Sequence, residues 1–195
     1  MGNIILGSDI DDCILDTASI LLEEVNKKLS SSLKYEDIKV HSLAEAFNID
    51  EDIIEDIILE IISRNEIPSM SGSSLVISQL SMILDSPISF ISKRSEDEFF
   101  LSKTRLQLIN AGIDCEYLLY HTKDKVSVIN DNNISIFIED RLDTIMDIYN
   151  NTNCTIFIFD HPWNRNIAEN VRIWRIRNWV EIRDLLMIGR LNNEV

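Results

Sequence analysis

Five short apolar runs punctuate this chain, and each ends on polar residues: Asn3 to Ser8, Ile88 to Ile91, Tyr117 to Tyr120, Ser135 to Ile138 and Thr155 to Phe159. Runs of strand length, rich in Ile, Leu and Phe, predict strands buried on both faces. Between the later runs the spacing turns helical. Glu96 to Ala111 is closed by Gly112, and Arg141 to Tyr149 sets Leu142, Ile145, Met146 and Tyr149 on one face. Strand, helix and strand in repetition, joined by right-handed crossovers, predict a doubly wound α/β fold around a parallel five-stranded sheet. Such sheets bind ligands at the carboxyl ends of their strands.

The stretch from Asp16 to Ser86 is far longer than one crossover requires. Inside it Ile53, Ile54, Ile57, Ile58, Ile61 and Ile62 recur at helical spacing, while Glu51, Asp52, Glu55, Asp56 and Glu60 fill the other positions. That pattern predicts an amphipathic helix whose acidic face is solvated. Pro68, Ser71, Gly72 and Ser73 then mark a turn before a helix over Leu75 to Leu84. The expected division is an α/β core over 1–16 and 71–195, with an α-helical cap over 17–70 inserted after the first strand.

Charge and cysteine usage narrow the function classes. The 195 residues include 33 acidic and 18 basic ones, a net charge of −15, the wrong sign for gripping a polyanion. Polymeric nucleic acid is therefore not an expected partner. Cys13, Cys115 and Cys154 are odd in number and form no C-x-x-C pair, which fits reduced thiols in the cytoplasm. No apolar run approaches the roughly 18 residues of a membrane helix, and the first residues show no signal-peptide pattern. Gly2 sits where a myristoylated glycine would, but Leu6 replaces the required hydroxyl residue.

The densest chemistry follows the first run, where Ile4-Ile5-Leu6-Gly7-Ser8 leads directly into Asp9, Asp11 and Asp12. Crowded carboxylates raise one another's pKa unless a cation is near, so the cluster suggests a metal. Residues two apart in an extended segment point the same way, which lets Asp9 and Asp11 face one reacting centre. Later strand ends carry polar groups as well. The second ends in Ser92-Lys93-Arg94, the third is followed by Lys123-Asp124-Lys125 at a helix start, and the fourth ends in Glu139-Asp140-Arg141. Taken singly, each has a plainer reading as a solvated turn or a surface lysine.

Taken in order, these four segments resemble the motifs of the haloacid dehalogenase (HAD) superfamily of phosphohydrolases: an Asp-x-Asp, a Ser or Thr, a Lys and an acidic pair, each after an apolar strand. Closer similarity points to the deoxyribonucleotidase-like branch. It rests on Asp9-Ile-Asp-Asp-Cys13, Pro68 to Leu80, Ile91-Ser-Lys-Arg94, Phe137-Ile-Glu-Asp-Arg141, and Phe159-Asp-His-Pro-Trp-Asn-Arg165 followed by Asn178-Trp179. The resemblance implies a Mg²⁺-dependent phosphomonoesterase with a HAD-like Rossmannoid core. Asp9 would be the nucleophile that forms an aspartyl-phosphate, and Asp11 the general acid and base. Asp9, the Asp11 backbone carbonyl and Asp140 would hold the metal, with Glu139 as a further carboxylate. Ser92, Lys93, Lys125 and the backbone N–H of Asp12 would bind phosphate, with Lys123 as the substitute for Lys125.

The expected partner is a small-molecule phosphate ester, first a (deoxy)nucleoside monophosphate, and a homodimer is allowed. The alternatives are a phosphatase for another ester such as a sugar phosphate, or a catalytically silent phosphate-binding protein on the same fold. In the cap only Tyr35 and Phe47 offer rings to a base. Trp163, Trp174 and Trp179 read as packing residues, Cys13 as a buried filler, and Asp143 as a solvated carboxylate. His121 and His161 lack partners at zinc spacing.

Overall fold

The computed structural model describes residues 4–64, 67–84 and 86–191; Gly2 and the first residue of the first apolar run lie outside them. Its strands are β1 (Leu6–Ser8), β2 (Ile88–Ser92), β3 (Tyr117–His121), β4 (Ile136–Glu139), β5 (Thr155–Phe159) and β6 (Ile173–Ile176). All pair in parallel, in the order β3-β2-β1-β4-β5-β6. The sheet thus has six strands where the apolar runs predict five. β6 escapes that reading because it is a short edge strand in which only the end residues Ile173 and Ile176 are buried while Trp174 is 45% exposed. Trp174 is accordingly not a core residue, although its ring lies 6.4 Å from that of Phe157.

The central strands explain the unbroken apolar runs. β1 is buried at all three positions and β2 at all five, because helices cover both faces. Gly7, in the middle of β1, stands opposite Phe137 of β4, and a Cβ added there would fall 2.7 Å from the Phe137 ring. A side chain at position 7 would fit only if that ring moved.

Helix α1 (Thr17–Leu29), a short α2 (Leu43–Phe47) and α3 (Glu51–Arg64) follow β1, and α4 (Ser73–Ile83) leads back to β2. α3 buries Ile54, Ile57, Ile61 and Ile62 and leaves all five of its acidic residues exposed, which agrees with a solvated outer face. Apolar residues of this helical insertion join residues of the sheet and of α4 in one buried cluster, in which Val25, Ile38 and Ile57 accompany Leu6, Ile77 and Phe90.

Beyond β2 come α5 (Glu98–Asn110), α6 (Lys125–Asp131), α7 (Leu142–Asn151) and α8 (Trp179–Leu191). The buried face of α7 is Thr144, Ile145 and Ile148, whereas Leu142 and Met146 are 44% and 41% exposed, so the predicted apolar face is rotated toward the sheet side. Among the described residues no helix is long and apolar enough to cross a membrane.

Candidate active site

β1 delivers its carboxylates by ending abruptly. The Asp9 N–H still donates to the Ile138 carbonyl at 2.9 Å, as a strand residue would, and then the chain turns sharply, with Asp12 at a left-handed φ of 59°. Trp179 at the start of α8 pins this turn by donating its indole N–H to the Cys13 carbonyl at 2.7 Å. His161 contacts the Asp12 carbonyl at 2.7 Å, and the Tyr35 hydroxyl from the insertion reaches the other nitrogen of that ring, also at 2.7 Å.

Lys125 forms the centre of the cluster. Its ammonium lies 2.8 Å from Asp9 Oδ1 and 2.8 Å from Glu139 Oε2, and is 2% exposed. It also stands 5.5 Å above the centre of the Phe137 ring. Burial works against its charge, yet Asp9 and Glu139 together hold the Lys125 pKa above its ordinary value. Glu139 accepts in addition from the N–H groups of Asp140 and Arg141; burial opposes its charge, but Lys125 and these donors keep its pKa low.

The carboxylates outnumber the cation. Burial pushes Asp9 up to about 7, with Lys125 pulling the other way. Burial and then Glu139 push Asp140 well above the usual carboxylate range. Asp140 accepts from the Trp163 indole at 3.0 Å, and Asn164 donates to its carbonyl at 2.9 Å. Ligand oxygens of Asp9, Glu139 and Asp140 lie within 4.8 Å of one another. A buried, all-oxygen set with surplus negative charge suits a hard cation such as Mg²⁺. A second group, Asp12, His41 and Asp140, meets the same spacing and adds an imidazole.

Four stretches scattered along the sequence therefore converge. Asp9, Asp11, Ser92, Lys93, Arg94 and Arg141 line one cavity of about 440 Å³, and Lys125, Glu139 and Asp140 stand behind Asp9. Ser92 is buried, and its hydroxyl accepts from the Arg94 N–H at 3.2 Å.

Two residues sit otherwise than expected, and the substitute lysine is not needed. The Asp12 N–H donates to the Leu15 carbonyl at 2.7 Å instead of facing a phosphate site, because the turn closes on itself. The Asp12 side chain supports the next helix, its Oδ1 accepting from the Ala18 N–H at 2.7 Å and so satisfying a free amide at the start of α1. The Lys93 ammonium is drawn to α7, 2.8 Å from Thr144 Oγ1 and 3.5 Å from Asp143. Lys123 is exposed and makes none of the contacts of Lys125.

Arg94 is the principal site residue to which the sequence motifs assign no role. It clamps Asp11 with two bonds of 2.6 and 2.9 Å and is itself held by Thr104 at 3.0 Å and Gln107 at 2.6 Å. Thr17 donates to the same carboxylate at 2.6 Å, so Asp11 is held as an anion with a pKa below the ordinary range despite its burial. The signal is present as the cation ending Ser92-Lys93-Arg94, but only the fold shows which of two adjacent cations turns inward. His41, 3.9 Å from Asp140 and edge-on to Trp163 at 5.9 Å, carries no motif in the sequence at all.

No family model matches the chain, and no curated protein matches it. Solved structures do. A haloacid dehalogenase-like family hydrolase from Streptococcus pneumoniae superposes with a TM-score of 0.63 at 11% identity, covering 94% of this chain and 98% of that one. YfnB from Bacillus subtilis, described as a HAD-hydrolase bound to magnesium, gives 0.59 at 14% identity over 95% of this chain and 99% of that one. CbbY from Rhodobacter sphaeroides, in complex with xylulose-(1,5)bisphosphate, gives 0.57 at 8% identity over 92% and 96%. Likenesses at 8 to 14% identity are likenesses of fold, and the fold of this chain is that of the haloacid dehalogenase-like hydrolases.

Proposed function

We propose that this chain is a phosphomonoester hydrolase working through an aspartyl-phosphate on Asp9. The reading is carried by one observation: Asp9 opens onto the cavity while Lys125, Glu139 and Asp140 crowd behind it. Both contacts of the Asp9 side chain, from the Ile10 N–H and from Lys125, fall on Oδ1, which leaves the second oxygen for the phosphorus. Asp9, Asp140 and the Asp11 backbone carbonyl would hold Mg²⁺, which would neutralise phosphoryl oxygens. Ser92 would bind one of those oxygens and Lys125 would offset charge on Asp9 and in the transition state. The setting proposed is cytoplasmic, in keeping with the free thiols of Cys13, Cys115 and Cys154.

In the first half-reaction an Asp9 oxygen bonds to phosphorus, the ester P–O bond breaks, and the departing alkoxide takes a proton from Asp11. In the second, Asp11 removes a proton from water, the water oxygen attacks the phosphorus, and Asp9 is released with inorganic phosphate. Asp11 clamped by Arg94 is the anion that the second half requires. The first half requires its proton and therefore its release from the guanidinium.

A nucleoside leaving group would meet one ring from the insertion, the His41 imidazole, and neither of the two rings singled out in the sequence. The Tyr35 hydroxyl is bonded to His161, and neither Tyr35 nor Phe47 lines the cavity. The test is to incubate the protein with Mg²⁺ and a small phosphate ester such as p-nitrophenyl phosphate, denature it rapidly and map the modified peptide by mass spectrometry. Phosphate on the peptide holding Asp9, together with at least a ~10³-fold loss of turnover in Asp9→Asn, is the expected result. Unchanged turnover in Asp9→Asn overturns the proposal.

A further inference from the structure

The cavity of about 440 Å³ has two chemically opposite ends. Its charged end belongs to the strand termini: Asp9, Asp11, Ser92, Lys93, Arg94 and Arg141. The far wall comes mainly from the insertion, with Leu21 of α1, Ile38 and Leu43 around α2, and Ile58, Leu59, Ile61 and Ile62 of α3; Phe100 of α5 completes it. Ile38, Leu43, Ile61 and Ile62 are each at most 6% exposed, so the base of this wall is packed in place, with Leu59 exposed at its edge.

The polar groups that the insertion adds are few. The Thr17 hydroxyl is committed to Asp11, and His41 sits beside Asp140 at the charged end. Glu55 is exposed but does line the cavity, and the hydroxyl of Ser95, beyond β2, is committed to Asp97 at 2.5 Å. Gln107, the nearest amide behind Arg94, is bonded to that arginine at 2.6 Å and to the Ile62 carbonyl at 3.1 Å. A leaving group rich in hydroxyls would therefore meet a single carboxylate, Glu55, and otherwise bury its donors and acceptors against apolar carbon, which is the condition under which a pocket rejects it. All three cations of the lining, Lys93, Arg94 and Arg141, stand at the charged end, so a second phosphate on the far side would face apolar carbon and Glu55.

We infer that the substrate is the phosphate monoester of a compact apolar alcohol, aliphatic or aromatic, and not of a sugar, nucleoside or bisphosphate. This rests on the phosphomonoesterase reading for its chemistry, but the complementarity of the wall is independent of the nucleophile. The leaving group packs against Leu21, Ile58, Leu59 and Phe100 while its phosphate meets Asp9, Ser92 and the cations.

The experiment compares cyclohexylmethyl phosphate with ribose 5-phosphate and thymidine 5′-monophosphate, three primary alkyl esters, on the full chain with Mg²⁺. The kcat/KM of the apolar ester should exceed the others by about 100-fold. Leu59→Gln, at a position already 50% exposed and so unlike a core lesion, should reduce that ratio by about tenfold. Comparable or greater turnover of the ribose or nucleoside ester overturns the inference and leaves the phosphatase reading standing. If no ester is turned over, calorimetry decides. Tighter binding of cyclohexylmethyl phosphate than of ribose 5-phosphate by Asp9→Asn protein upholds the inference while the catalytic reading falls; equal binding overturns both.

Discussion

The two ends of the cavity are held together by different physics. At the charged end, Lys125, Asp9 and Glu139 are buried ions that persist because each has partners at 2.8 Å. At the apolar end, Ile38, Ile61 and Ile62 are held by contact area, and any one of them can shift slightly without leaving a group unsatisfied. The chemistry proposed thus depends on close placement at one end, whereas the selection inferred at the other depends on volume and on the scarcity of polar partners. The charged end should be brittle and the apolar end forgiving.

The largest effect belongs to Lys125→Met. Removing the cation strands two buried carboxylates, and stability in urea at neutral pH should fall by about 3–5 kcal/mol; an unchanged midpoint would show that the lysine does not hold this end. Trp163→Phe keeps the ring but takes the donor from Asp140, and should cost about 1–3 kcal/mol. Ile61→Leu conserves volume at the apolar wall and should cost less than about 1.5 kcal/mol. A loss as large as that of Lys125→Met would erase the distinction between the ends.

The smallest effect is expected at the rim. Asp143, whose side chain is 60% exposed, is paired with Arg141 at 2.9 Å. Burial opposes its charge, but Arg141 prevails and holds its pKa down to about 2, from an ordinary 3.8. A depressed carboxylate pKa contributes stability that is fully present above the ordinary value and is lost as pH falls through about 2. Asp143→Asn should therefore cost under ~1 kcal/mol at pH 7, and thermal melts of the variant and parent should converge as pH drops from about 4 toward 2.

The same contrast governs what the sequence can disclose. Charged and hydroxyl residues after apolar runs stand out as a set, so Asp9, Ser92, Lys125 and Asp140 can be picked out by their order along the chain, though not one by one, and their convergence anticipated from the strand order. Ile58, Ile61 and Ile62 cannot, because an aliphatic residue lining a cavity and one filling a core look identical in a helical repeat. Arg94 is hidden by its neighbour: Ser92-Lys93-Arg94 offers two cations, and only the turn after β2 decides that Arg94 faces Asp11 while Lys93 reaches Thr144. β6 escapes notice because an edge strand with an exposed Trp174 lacks the continuous apolar run that marks the central strands.

Gly7 carries a consequence for how damage would spread. It touches no ionised atom, yet the Phe137 ring that fills the space above it is also the floor beneath Lys125. A methyl group at position 7 would displace that ring and tilt the ammonium resting on it. An alanine in an otherwise inert stretch of backbone would thus behave as a lesion of the charged cluster: the protein would keep its shape while the hydrolysis proposed above slowed.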